Sequence, residues 1–297
     1  MENEKFLMCI RRAGITSVGL IFMLLLGADL TAQTLPQQTF YVKENARDRK
    51  AVPYVSVREA DVMWSKRVWR TIDVREKFNH PIYYPEVSTE DRKNLFDVIK
   101  DGILSGEISA FDNPAFDDEF KVRMTKQQVK DLFYQWDYTT KVEDPKNPGA
   151  FISQPTMTQL ESKQVMQYWL KEDWFFDKKR SVMDVRILGL CPLKSKFDQV
   201  TGAVIGVTPL FWLYFPQCRN VFARAEVFNT KNDAQRNTFD DLFQQRMFGS
   251  YITKESNVED RSGTTYTDSQ ALGIQNLLEA DRIKNDIFKT EHDVWHF

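Results

Sequence analysis

The run from Tyr168 to Leu190, YWLKEDWFFDKKRSVMDVRILGL, constrains this chain more than any other stretch. In its second half Met183, Val185 and Ile187 alternate with Asp184 and Arg186, the period-two signature of a strand. Its first half interleaves Trp169, Trp174, Phe175 and Phe176 with Lys171, Glu172 and Asp173. No His, Cys, Ser–base pair or Gly-rich loop lies among these charges, so the run predicts a β-surface made for gripping another protein rather than for chemistry.

The N-terminus predicts export. Lys5, Arg11 and Arg12 form a basic n-region, Ala13 to Gly27 an apolar h-region, and Leu30-Thr31-Ala32 a cleavable end before Gln33. The apolar run is shorter than the ~20 residues of a membrane span, and Cys9 precedes it, which excludes a lipidated cysteine of the lipoprotein type. The formal charge of −2 argues against a nucleic-acid partner. The 22 Phe and seven Trp favour protein interfaces or carbohydrate contact. Cys191 and Cys218 outlast processing; an oxidising compartment permits a disulfide between them, and two isolated buried thiols are the alternative.

The expected organisation is a signal peptide (1–32), an extended arm (33–58), a mainly helical subdomain (59–145) and an α+β subdomain (150–297). The last holds an antiparallel sheet and a C-terminal helix, and the DPKNPG breaker at Asp144–Gly149 divides the two subdomains. The fold class is therefore α+β, a helical N-terminal part followed by an antiparallel sheet packed with helices. A first helix is expected from Ala60, with Trp64 and Val68 four apart and Trp69 and Ile72 three apart. A second is expected after a Ser88 or Thr89 cap, with Leu95, Phe96, Ile99, Ile103 and Leu104 buried and Gly102 or Gly106 at its end. Thr125 and Gln128 form a capping box for a third. Val221 to Phe228 reads as a strand whose Arg224 and Glu226 extend a charge ladder with Asp184 and Arg186. GAVIGVTPLFWLYFP reads as one long or kinked strand, with Pro209 forcing a bulge or an edge position. Phe239 to Phe248 and Ser269 to His292 read as helices, the latter with Ile274, Leu277, Ala280, Ile283 and Ile287 at helical spacing.

Catalytic signals are sparse. His80 sits in a turn-like NHPIYYP, and His292 and His296 are four apart at the chain end without a third ligand. No GxSxG element or phosphate loop occurs. Glu172 and Asp173 are adjacent on a strand, point to opposite faces and do not converge as a glycosidase pair must. The residues imply no cofactor, no metal and no catalytic set; an exported glycan-binding or glycan-hydrolysing envelope protein is the alternative function.

Several long segments resemble the GldN/PorN family of the type IX secretion and gliding-motility apparatus. They are DVMWSKRVWRTIDVREKFNHPIYYP, KEDWFFDKKRSVMDVRILGL, PLFWLYFPQCRNVFARAEVFN, DAQRNTFDDLFQQRMFGSYITKESNVEDR and LLEADRIKNDIFKTEHDVWHF. The resemblance implies a non-enzymatic periplasmic scaffold at the inner face of the outer membrane. Its partners would be a GldK/PorK-type lipoprotein, the periplasmic region of a GldM/PorM-type motor protein and other copies of itself in a ring. Contact with the membrane would come only through those partners. Interface candidates are Trp64, Trp69 and Arg70, and Trp174, Phe175 and Phe176, because Trp and Arg dominate binding energy at interfaces.

Overall fold

The computed structural model describes residues 49–89, 92–112, 118–137, 141–143, 151–153, 156–197, 204–229, 232, 234–258 and 272–294. All belong to the compact unit formed by residues 45–297. The predicted signal peptide, the first part of the arm, the Asp144–Gly149 breaker and His296 lie outside the described residues.

The fold is α+β. In chain order the elements are β1 (Val62–Asp73), α1 (His80–Tyr83), α2 (Leu95–Ser105), β2 (Ala110–Phe111), α3 (Lys126–Phe133) and β3 to β6 (Tyr134–Asp137, Lys141–Glu143, Phe151–Ser153, Thr156–Gln159). There follow β7 (Val165–Asp177), β8 (Val182–Phe197), β9 (Val204–Pro209), β10 (Trp212–Tyr214) and α4 (Phe215–Phe222). The chain continues through β11 (Glu226–Val227), β12 (Asn237–Thr238), α5 (Phe239–Gln244), β13 (Tyr251–Glu255) and α6 (Leu272–Val294). An antiparallel sheet runs β13-β1-β7-β8-β10-β2, with β9 also paired to β8; β3 pairs β6, β4 pairs β5 and β11 pairs β12.

The expected first helix is a correction: residues 62–73 form a twelve-residue strand between β7 and β13. The spacing that suggested a helix is ambiguous, because a step of four fits period 2 as well as period 3.6. Trp64, Val68 and Ile72 share one face of the strand. The segment is rich in aromatic and β-branched residues, and two flanking strands satisfy its backbone on both edges. Strands from before and after the Asp144–Gly149 segment thus lie in one sheet, and both parts of the chain contribute to one core.

Helix α2 starts later than expected, at Leu95. Its cap is Asn94, whose side chain accepts the Asp97 N–H at 2.8 Å, rather than Ser88 or Thr89. Gly106 ends it with φ 89°, where a side chain would be strained. The Thr125–Gln128 capping box forms as read and starts α3.

Val221–Phe228 is the second correction. Only Val221 and Phe222 are helical, as the end of α4, in which Phe215, Cys218 and Phe222 fall at i, i+3 and i+7 and Pro216 opens the helix; a turn follows, and the strand is confined to Glu226–Val227, β11. The charge ladder does not assemble. Asp184 pairs with Arg180 at 2.9 Å, Arg224 with Glu107, and Glu226 with Arg236 at 3.3 Å. The long strand predicted around Pro209 is two, β9 and β10, both antiparallel to β8.

Two cores flank the sheet's inner face. The larger gathers Ile72, Tyr168, Leu170 and Leu190 with α2, α4 and α5, through Phe96, Ile99, Phe215, Phe222, Phe239 and Phe243. The smaller sets Val68 and Ile252 against Ala280, Ile283 and Ile287 of α6, flanked by Trp64 and Trp174. The Arg219–Asp240 pair, with both contacts at 2.9–3.1 Å and both side chains buried, ties α4 to α5.

Residues 49–58 lie back on their own chain. Arg49 pairs with Asp241 at 3.0 Å, and Gln244 donates to the Tyr54 hydroxyl at 3.0 Å. The Tyr54 ring lies between the guanidinium groups of Arg219 (4.2 Å) and Arg186 (5.2 Å).

Candidate interaction face

Alternation along β1 and β7 splits the six predicted interface residues between the two faces of the sheet. Trp64, Arg70, Trp174 and Phe176 face inward; Trp69 and Phe175 face the opposite way. Trp64 and Trp174 pack against the smaller core, and Phe175 and Phe176 are buried. Arg70 is spent on a local contact, its Nε donating to Ser250 Oγ at 2.9 Å and a terminal nitrogen to the Ser250 carbonyl at 3.2 Å. Burial pulls its pKa below the ordinary arginine value, opposed by the Glu172 carboxylate and reinforced by Arg246.

Beneath the sheet the governing group is Glu172, which is fully buried. Arg246 reaches it through two parallel hydrogen bonds of 3.0 and 3.1 Å, and Trp174 Nε1 donates to the same carboxylate at 3.2 Å. The Arg246 guanidinium stands 5.4 Å from the Trp174 ring centre and 5.3 Å from that of Phe248, one ring beside each core. A carboxylate so enclosed has no route to a substrate. Asp173, on the opposite face, is held by Arg67 at 2.7 and 3.0 Å. The two adjacent acids therefore diverge, as their place on a strand requires, and each is matched to its own arginine.

Trp69 is the predicted residue that the structure leaves half-buried on the outer face. Its Nε1 donates to Asp118 at 2.5 Å. The Lys254 ammonium lies 4.6 Å from its ring centre. Register brings Lys171 and Lys254 opposite Trp69 on either side, Asp173 opposite Arg67, and Tyr251 opposite Thr71. Lys171 is almost wholly buried. It donates to the Asp118 backbone carbonyl at 2.8 Å, pairs with the Asp118 carboxylate at 3.1 Å, and faces the rings of Trp69 and Phe120. It pins the 118–120 loop beside the indole. Asp173 hydrogen bonding raises the Arg67 pKa above its ordinary value, which fixes that ion pair as a charged rim.

The resulting surface is an aromatic anchor, Trp69 with the exposed Tyr251, surrounded by fixed charge from Arg67, Asp173 and Lys254. An aromatic centre in a polar rim suits protein recognition. Sequence reasoning missed Lys171, Asp118, Tyr251 and Lys254, because only strand register brings β13 and the 118–120 loop beside Trp69. The alternating YITKE of β13 was the one local clue.

Cys191 on β8 and Cys218 on α4 are free thiols and not a disulfide in this structure; each is completely buried, and burial raises both thiol pKa values. Among the described residues, no group of His, Cys, Asp and Glu is arranged to hold a metal ion, and no helix is long and apolar enough to cross a membrane.

No curated protein matches the chain in sequence. The model of the gliding motility associated protein GldN family matches residues 57–296, and the chain belongs to that family. It is thus a component of the gliding-motility and type IX secretion machinery of the cell envelope, in a family of structural components that is not a known enzyme family.

Proposed function

We propose, from membership of this family, that the protein is a non-enzymatic periplasmic scaffold. It forms a ring with an outer-membrane lipoprotein of the GldK/PorK type and with copies of itself. It also receives the periplasmic region of the GldM/PorM-type motor protein. The lipoprotein holds it at the inner face of the outer membrane. The observation that supports a docking role is the outer sheet face, where Trp69 stands between Lys254 and the pinned Asp118 with the Arg67–Asp173 pair beside it.

Co-expression with the lipoprotein, detergent extraction and electron microscopy test the assembly; absence of both co-purification and rings would refute it. Trp69→Ala tests the face. The indole is half-buried, so a circular dichroism melt first confirms that the variant is folded; retention of a partner should then fall at least roughly tenfold, the effect of losing a moderate hot spot. Retention equal to wild type would remove this face from the proposal.

A further inference from the structure

Helix α6 carries a second apolar stripe besides the one that faces the sheet. Its inner side places Ala280, Ile283 and Ile287 on the smaller core. Arg282 fastens it to the sheet through Glu255 at 3.0 Å while also bonding Glu279 and Asp286 within the helix. Around the cylinder from that side lie Ile274, Leu277, Leu278 and Phe288, which are 73%, 59%, 63% and 64% exposed. At 100° per residue these four, with Asp281, fall within about one third of the helix circumference. A helix packed on its own sheet needs one apolar stripe, so the second is unexplained by the fold.

Along the flank of that stripe nearer the sheet, heptad spacing sets three apolar and three charged residues in register: Ile274, Asp281 and Phe288 at a, and Leu277, Lys284 and Glu291 at d. In an antiparallel pair of identical helices an a residue faces a d residue of the other copy. Leu277 then meets Phe288, Asp281 meets Lys284, and the methylenes of Glu291 cover Ile274. Every layer appears twice by symmetry. Parallel pairing would instead set Asp281 against Asp281 and Lys284 against Lys284, which repels. Polar residues at core positions fix orientation and register in this way.

We propose that the outer face of α6 binds the same face of a second copy of this chain, antiparallel, with Leu277 on Phe288 and Asp281 paired to Lys284. The contact is isologous and closes as a dimer. It stands independently of the ring assignment, because a ring needs a different, head-to-tail surface. One helix pair is smaller than a standard interface, so the affinity expected is about 1–100 μM.

Sedimentation velocity of the purified protein across that concentration range is the test. A reversible monomer–dimer equilibrium is expected. Leu277→Glu should abolish it, and a circular dichroism melt checks that this exposed position leaves the fold intact. Asp281→Lys alone and Lys284→Asp alone should each weaken it roughly tenfold or more, and the double exchange should restore it. Restoration in the double variant is specific to this register and does not depend on how Leu277→Glu folds. A monomer throughout the range overturns the proposal. So does a dimer indifferent to Leu277→Glu, or a charge exchange that fails to rescue. A monomer that instead binds another envelope protein through this helix overturns it equally.

Discussion

Replacing Arg246 by Met removes the cation that neutralises Glu172 and leaves the Cβ and the backbone of the position unchanged. That matters because Arg246 has φ 54°, in the left-handed region, so its backbone strain is common to both proteins. The carboxylate stays fully buried, with one remaining hydrogen bond from Trp174 Nε1. Breaking one side of a buried ion pair costs about 3–5 kcal/mol. The Arg246 side chain is 31% exposed and Arg70 is nearby, so the lower end, about 3 kcal/mol, is expected. In a unit of this size that lowers Tm by about 6–12 °C. Glu172→Met/Arg246→Met removes both charges and should recover at least about 2 kcal/mol of the loss, because no unpaired charge stays buried. Urea unfolding followed by tryptophan fluorescence measures each variant, with unchanged m-values required for the comparison. A loss below about 1 kcal/mol for the single variant would refute the reasoning, as would a double variant no more stable than Arg246→Met.

Two further perturbations test the packing and the electrostatics. A Cβ at Gly189 would lie 2.7 Å from Phe120 Cζ and 3.1 Å from Trp212 Cε3, so Gly189→Ala should destabilise by about 1–3 kcal/mol in the same unfolding assay and loosen the 118–120 loop beside Trp69. Acid should destabilise in a defined window. The Arg180 guanidinium and the Lys179 and Arg180 backbone N–H groups hold the Asp177 carboxyl below its ordinary value. Burial works against Asp73, but hydrogen bonds from Arg75 and Gln167 outweigh it and lower its pKa too. A depressed carboxyl stabilises fully above its unfolded pKa of about 4 and loses that contribution as pH falls through the folded value. Stability should therefore be flat above about pH 5 and fall below about 4, and Asp177→Asn should flatten part of that acid limb. An unaltered acid limb in the variant would count against the Arg180 contact.

Local patterns that depend on neighbours three or four residues apart were legible from sequence: the capping box at Thr125, the terminal glycine of α2, the alternation entering β8, and the helical spacing of α6. Their physics is contained in one turn or one pleat. The long motifs from Asp61 onward carried the family in the same direct way. What sequence could not decide was any choice made by a distant partner. Trp64, Val68 and Ile72 satisfy a helix and a strand equally, and only pairing with β7 and β13 selects the strand. The aromatics Trp174, Phe175 and Phe176 look alike in the chain as candidate anchors. Register buries Phe175 and Phe176, gives Trp174 to a buried carboxylate and leaves Trp69 half-buried on the other face. The run from Tyr168 to Leu190 thus announced a charged, aromatic sheet by itself. Which of its side chains serve the core and which serve the surface is a property of the sheet, because each strand's two faces acquire their environments from distant segments, as Arg70 and Ser250, 180 residues apart, do.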